Sequence, residues 1–82
     1  MLLKIEPQRD LLNYIGMDVV TLVCGEHFAS LSWRNGAGGS GQDEYGPYGT
    51  RVEAIAALRE FGRLVNAHRK VLGLEQKQWR YR

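Results

Sequence analysis

The residues of this chain best suited to metal binding or nucleophilic catalysis are one cysteine and two histidines. Cys24 and His27 are separated by Gly25-Glu26, and His68 follows far along the chain. Thiolate and imidazole groups bind zinc, but the second pair of ligands that a structural zinc site needs is absent. A Cys24 nucleophile with His27 as its base also lacks an identifiable orienting group. The sequence therefore predicts no metal site, no cofactor and no enzymatic activity.

A glycine-rich segment, Gly36-Ala-Gly-Gly-Ser-Gly41, matches the G-x-G-x-x-G pattern of dinucleotide-binding loops. Such a loop works by opening directly onto a helix whose amides point at the phosphates. In this chain eight residues separate Gly41 from Thr50, where the helix is predicted to begin, and the acidic residues Asp43 and Glu44 intervene. We therefore interpret the segment as a hairpin loop.

Basic residues and aromatic rings are concentrated in the second half of the chain. The net charge is +2, yet three basic and six acidic residues precede Thr50, and eight basic and three acidic residues follow it. The candidate binding residues are Arg59, Arg63 and Lys70, then Lys77, Trp79, Arg80, Tyr81 and Arg82 near the end of the chain.

Two interpretations of these residues are open. Cations neutralise phosphates and flat rings stack on bases, so the pattern indicates binding to RNA or DNA, especially single strands, and the same surface can dock on an acidic protein. Alternatively, the cations form the solvated face of an amphipathic helix, and Trp79 covers an open end of the core.

Two tyrosines lie in the glycine-flanked segment Asp43-Glu-Tyr-Gly-Pro-Tyr48. Tyrosine offers an apolar face and a hydroxyl at low conformational cost, which makes Tyr45 and Tyr48 candidates for recognising a protein partner. Equally, both rings can fold back over the seam between helix and sheet.

A long helix is predicted from Thr50 to Leu72. Thr50 and Glu53 have the spacing of a capping box, in which each side chain bonds the other's backbone amide, and Gly73 is a natural left-handed stop. Apolar residues recur with a helical period on one side, and Arg59, Arg63 and Lys70 lie on another.

Strands are predicted at Asp18–Cys24 and His27–Arg34, joined by a tight turn at Gly25-Glu26. The residues from Asn35 to Gly49 then form a loop followed by a short edge strand near Glu44–Tyr48.

Both ends of the chain leave alternatives open. Residues 2–6 can form a strand, and we favour a short helix over Pro7–Ile15, closed by Gly16. Alternatively, Leu11–Ile15 is a strand that turns at Gly16-Met17 into the next one. Residues 74–82 are expected to be a final strand or a flexible arm.

The segment Tyr45-Gly-Pro-Tyr-Gly-Thr-Arg-Val-Glu-Ala-Ile-Ala-Ala-Leu-Arg59 resembles one half of a SPOR-type peptidoglycan-binding domain. In that family, a strand ending in Gly-Pro-aromatic leads through a capped turn into an alanine-rich helix. The resemblance covers less than a fifth of the chain and only one of the family's two halves, so it implies no function for this chain.

Length and composition restrict the overall architecture. Eighty-two residues, 44% of them hydrophobic and 24% charged, predict one folded domain over residues 1–82 with little room for a deep pocket. The elements predict an α+β fold, in which an antiparallel sheet of three or four strands carries the long helix on one face. One cysteine, no secretory signal and no membrane-spanning run indicate a cytoplasmic protein without a membrane partner.

We therefore expect a small non-enzymatic binding or regulatory protein that contacts a protein or nucleoprotein complex, as a monomer or homodimer. One alternative is direct binding of nucleic acid through the basic helix and the aromatic-basic tail. Another is an inhibitor, encoded by a phage or mobile element, that blocks a host defence complex such as a CRISPR effector.

Overall fold

The computed structural model describes residues 4–80 and confirms the α+β fold, with one helix packed on one face of an antiparallel sheet. The strands are β1 (Tyr14–Thr21), β2 (His27–Arg34) and β3 (Ser40–Tyr48), in the order β1-β2-β3, and the helix is α1 (Arg51–Val71). Tyr81 and Arg82, two of the candidate binding residues, lie outside the described residues, as do Leu2 and Leu3 of the possible first strand.

Helix α1 confirms the prediction at both ends. The hydroxyl of Thr50 accepts a hydrogen bond from the backbone amide of Glu53 at 3.1 Å, as in a capping box. The return bond differs, because the hydroxyl of Thr50 itself donates to the Glu53 carboxylate at 3.3 Å. Gly73 has a φ of 73° and ends the helix, and the amide of Leu74 donates to the carbonyl of Arg69 at 2.8 Å.

The core lies between α1 and the inner face of the sheet. Met17 pairs with Leu31 and Val19 with Ala29 across β1 and β2, and these four side chains face the helix. The helix contributes five buried apolar side chains, which are Ala54, Ala57, Leu58, Phe61 and Val65. The ring of Tyr14 meets that of Phe61 edge-on, with centroids 5.1 Å apart.

The number of strands was predicted correctly, but the predicted limits of two of them were wrong. Strand β2 has its predicted limits, whereas β1 begins four residues earlier than Asp18 and ends at Thr21. Because Leu22 and Glu26 close the hairpin by a backbone bond of 2.8 Å, the turn is longer than Gly25-Glu26 alone. Strand β3 begins at Ser40 rather than near Glu44, so the edge strand is longer than predicted.

Neither prediction for the residues before β1 is correct. Instead of a helix over Pro7–Ile15 there is only a short 3₁₀ turn at Leu11–Asn13, capped by Asp10. Strand β1 runs straight through Gly16 with a register shift next to Ile15, so no turn occurs at Gly16-Met17. Residues 4–6, within the possible first strand, form no strand.

Long-range contacts explain why the first residues are extended instead of helical. Ile5 is buried in the core, and Arg9 donates two hydrogen bonds to the carboxylate of Asp43, at 2.8 and 2.9 Å. The guanidinium of Arg9 also lies 3.7 Å from the centre of the Trp33 ring. Asp43 raises the pKa of Arg9 through this hydrogen-bonded pair. These contacts override the weak local preference for a helix.

Within the described part of the chain, no helix has the length and apolar character needed to cross a lipid bilayer.

Candidate binding surface

The side of α1 that faces away from the sheet carries the predicted basic stripe. Arg59, Arg63 and Lys70 are exposed and occupy one side of the helix, at spacings of four and seven residues. Val52 lies on the same side, seven residues before Arg59, and is 75% exposed. The stripe therefore combines three cations with one strongly exposed apolar side chain.

Residues 74–80 extend the basic surface because they pack along α1 and form no strand. The side-chain amide of Asn66 bonds the backbone of Lys77 in both directions, donating to its carbonyl and accepting from its amide, each at 2.9 Å. Arg69 Nε donates to the carbonyl of Glu75 at 2.6 Å. Since Asn66 lies between Arg63 and Lys70 on the helix surface, Lys77 is held beside the stripe, and exposed Arg80 follows it.

Trp79 anchors this tail. A Cβ atom added to Gly62 would lie 2.8 Å from Cδ1 of Trp79, so the ring packs directly on the helix where α1 has no side chain. Its indole nitrogen is buried and has no hydrogen-bond partner among the described residues. The ammonium of Lys77 lies 5.3 Å from the ring centre. Trp79 thus packs against the core beside Gly62, so its ring is part of the packing, as in the second of the two interpretations.

Two cations of the tail and helix lie close together. Burial lowers the pKa of Lys77, and the nearby positive charge of Arg69 lowers it further. Arg69 is fixed by its bond to Glu75, so it cannot swing away without losing that contact. An anionic group beside this pair would relieve their repulsion.

Tyr45 and Tyr48 pack inward, which was the second alternative for these rings. Tyr48 is 4% exposed and belongs to the core. Tyr45 packs against the core, and its hydroxyl donates to the backbone carbonyl of Glu6 at 3.1 Å. The Tyr45 ring therefore helps to hold residues 4–10 on the sheet, and neither ring presents a whole face to solvent.

The Tyr45 hydroxyl leads to an expected pH dependence. Burial, with additional effects of Tyr14 and Asp43, raises the pKa of Tyr45 to about 12 from its ordinary 10.0. A pKa that is higher in the folded state means that the stabilisation is complete below pH 10.0 and is lost as the pH rises towards about 12. We expect Tyr45→Phe to be less stable than the parent below pH 10.0 and to lose that difference by about pH 12. Urea unfolding of both proteins across this pH range measures the difference in their free energies of unfolding. A difference that stays constant with pH would contradict the prediction.

Two acidic residues of the first half lie on the opposite side of the molecule. Asp18 and Glu44 flank Ser30 across the three strands, on the sheet face that α1 does not cover. Asp43 is already paired with Arg9. Asp18 and Glu44 are therefore separated in space from the basic stripe, whereas Glu6 lines a groove beside α1.

The remaining candidates for chemistry do not converge. The thiol of Cys24 is exposed and contacts the carboxylate of Glu26 at 3.4 Å, whereas His27 Nδ1 lies 2.9 Å from the hydroxyl of Thr21. His68 is half-buried near the end of α1. No group of three or more histidine, cysteine or acidic side chains suited to a metal ion occurs among residues 4–80. The glycine-rich segment joins β2 to β3 and leads into no helix.

Two half-open grooves lie on either side of Arg63, and the sequence did not predict them. One, of about 460 Å³, is lined by Val52, Ile55, Ala56, Arg59 and Arg63. The other, of about 500 Å³, lies between α1 and residues 4–7, with Ala57, Phe61 and Leu64 among its lining residues. The second exists because residues 4–7 pack on α1. The sequence does contain a sign of the first groove. Val52 and Ala56 precede Arg59 and Arg63 by seven residues, and residues seven apart lie on the same side of a helix.

No family model matches the sequence, and no curated protein or solved structure is similar enough to it to count as a match.

Proposed function

We propose that this protein is a non-enzymatic binding protein that docks on an acidic protein surface. Its binding surface is the outer α1 face, which consists of Val52, Ala56, Arg59, Arg63 and Lys70 with Lys77 and Arg80 of the docked tail. The observation that carries this proposal is that exposed apolar and cationic side chains share this face on one rigid element. Interfaces combine apolar contact with charge complementarity in this way.

The packing of the aromatic rings favours a protein over single-stranded nucleic acid. Base stacking needs open ring faces, whereas Trp79, the aromatic residue of the tail within residues 4–80, packs on Gly62. Exposed Val52 gains nothing from contact with phosphates, but it gains from burial against an apolar side chain. The exposed face therefore fits an acidic protein partner better.

Duplex nucleic acid is the second candidate function. Contacts to a phosphate backbone require cations at suitable spacing, and they do not depend on aromatic rings that stack on bases. Arg63 and Lys70 lie on the exposed side of α1, Asn66 holds Lys77 beside it, and Arg69 lies near Lys77. This cluster supports the candidate.

Charge reversal at one position tests the proposal. We expect Arg63→Glu to weaken binding of a labelled acidic peptide by about tenfold, because it replaces an attraction with a repulsion. The matched control is Arg34→Glu, which makes the same change in net charge at an exposed position at the end of β2. Its effect should be about twofold or less. Fluorescence anisotropy at low and physiological salt measures both variants.

The same titrations with a labelled DNA duplex separate the two candidates. Salt-sensitive binding of the duplex without binding of the acidic peptide would replace the proposed function with the second candidate. Equal weakening by Arg63→Glu and Arg34→Glu would show that only net charge matters, and the outer α1 face would then not be the site.

A further inference from the structure

The groove beside Arg59 and Arg63 differs in chemistry from the rest of the surface. Three of its five lining residues are apolar, namely Val52, Ile55 and Ala56, and the other two are arginines. None of these five lining residues carries a carboxylate, whereas the groove on the other side of Arg63 includes both Glu6 and Glu60. The lining of the first groove therefore combines an apolar floor with two arginines.

The groove is also preformed. Ile55 packs against the core, which fixes the floor. About two turns further along, Trp79 covers Gly62 and the tail is bonded to Asn66, so the helix is supported on the side next to the groove. A preformed site loses little conformational entropy when it binds a ligand.

The spacing along α1 defines the shape of the segment that fits. The floor at Ile55 and the two arginines follow one another at intervals of four residues, which is about 6 Å along a helix axis. Side chains two residues apart on an extended chain point the same way and lie about 6.6 Å apart. An extended segment lying along α1 can thus place successive same-side residues at Ile55, Arg59 and Arg63.

We propose that this groove binds an extended acidic segment of the partner with the pattern aliphatic-x-acidic-x-acidic. The aliphatic side chain occupies the floor formed by Val52, Ile55 and Ala56, and the two carboxylates pair with the guanidinium groups of Arg59 and Arg63. Arginine suits this role because its planar fork binds a carboxylate through two parallel hydrogen bonds. The inference rests on the proposed function and specifies the partner's chemistry.

The test uses two labelled peptides of equal charge, one containing Leu-Ser-Glu-Ser-Glu and one containing Ser-Ser-Glu-Ser-Glu. We expect the leucine peptide to bind about tenfold more tightly, because a partly buried leucine side chain contributes the corresponding apolar transfer energy. In Ala56→Gln the larger side chain fills the floor, and the two affinities should become equal within about twofold. The matched control is Ala67→Gln, an exposed alanine on the same side of α1, which should keep the tenfold difference.

Val52→Ser provides a second variant if Ala56→Gln does not fold. Val52 is 75% exposed, so its replacement removes lining from the groove and little from the core. It should reduce the preference for leucine.

The outcomes separate the inference from the proposed function. If the parent protein binds both peptides equally, the groove does not hold an aliphatic side chain and the inference fails. The proposed binding of acidic segments would still stand. If the preference for leucine survives in Ala56→Gln and in Val52→Ser, the anchor site lies elsewhere and the inference fails. If neither peptide binds at low salt, the proposed function fails and the inference fails with it.

Discussion

Phe61→Ala is expected to destabilise the protein by about 3–5 kcal/mol, because it removes a large ring from the centre of the core. Phe61 is 3% exposed, and its ring meets that of Tyr14 edge-on at 5.1 Å. It also lines the groove between α1 and residues 4–7, so its loss opens a cavity where helix, sheet and the first residues meet. Total stability of a domain is only about 5–15 kcal/mol, so this variant loses a substantial share of it.

Leu64→Ala is the matched control on the same helix. Leu64 is 45% exposed and lines the same groove, but it does not belong to the core. We expect a loss of less than about 1.5 kcal/mol, because much of this side chain is already in water. Urea denaturation followed by circular dichroism measures both variants. Equal losses in the two variants would contradict the placement of Phe61 at the centre of the core.

The effect of Gly62→Ala on stability is expected to depend on residue 79: the substitution destabilises the parent protein and stabilises the Trp79→Ala variant. In the parent protein the new methyl group would meet Trp79 at 2.8 Å, so we expect a destabilisation of about 1–3 kcal/mol. In a Trp79→Ala background that contact is absent, and the replacement of a glycine inside a helix should stabilise the protein by about 0.5–1 kcal/mol. Glycine at position 62 is thus explained by the ring that it accommodates.

A double-mutant cycle of Gly62→Ala and Trp79→Ala measures this coupling. The indole NMR signals provide an independent readout, since the Trp79 signal should move in Gly62→Ala while the Trp33 signal stays in place. Stabilisation by Gly62→Ala in both backgrounds would show that the tail does not pack on α1 in solution.

The parts of the fold that the sequence predicted are those determined by local patterns. The capping pair Thr50 and Glu53, the stop at Gly73 and the periodic apolar face predicted α1 nearly residue for residue. Alternation of apolar residues predicted β2. The segment before β1 was predicted wrongly because its conformation depends on Arg9 meeting Asp43, a residue 34 positions away, and no local pattern contains that contact.

The binding surface was predicted in part for the same reason. Helical periodicity alone brought Arg59, Arg63 and Lys70 to one side of α1. Docking of the tail depends on Asn66, which bonds Lys77, and on Gly62, which contacts Trp79. An asparagine and a glycine in a helix do not by themselves predict a contact with the tail. The aromatic residues looked equally suited to binding and to packing, and only the tertiary structure showed that Trp79 and Tyr48 are packed.

The most direct test of the central claim is an NMR titration of the isotope-labelled protein with the peptide that contains Leu-Ser-Glu-Ser-Glu. If the outer α1 face is the binding surface, the largest changes in amide signals fall at Val52, Ala56, Arg59 and Arg63, and they saturate. Amides around Asp18, Ser30 and Glu44, on the uncovered face of the sheet, should change little. Saturable changes centred on that sheet face, with α1 unaffected, would contradict the claim.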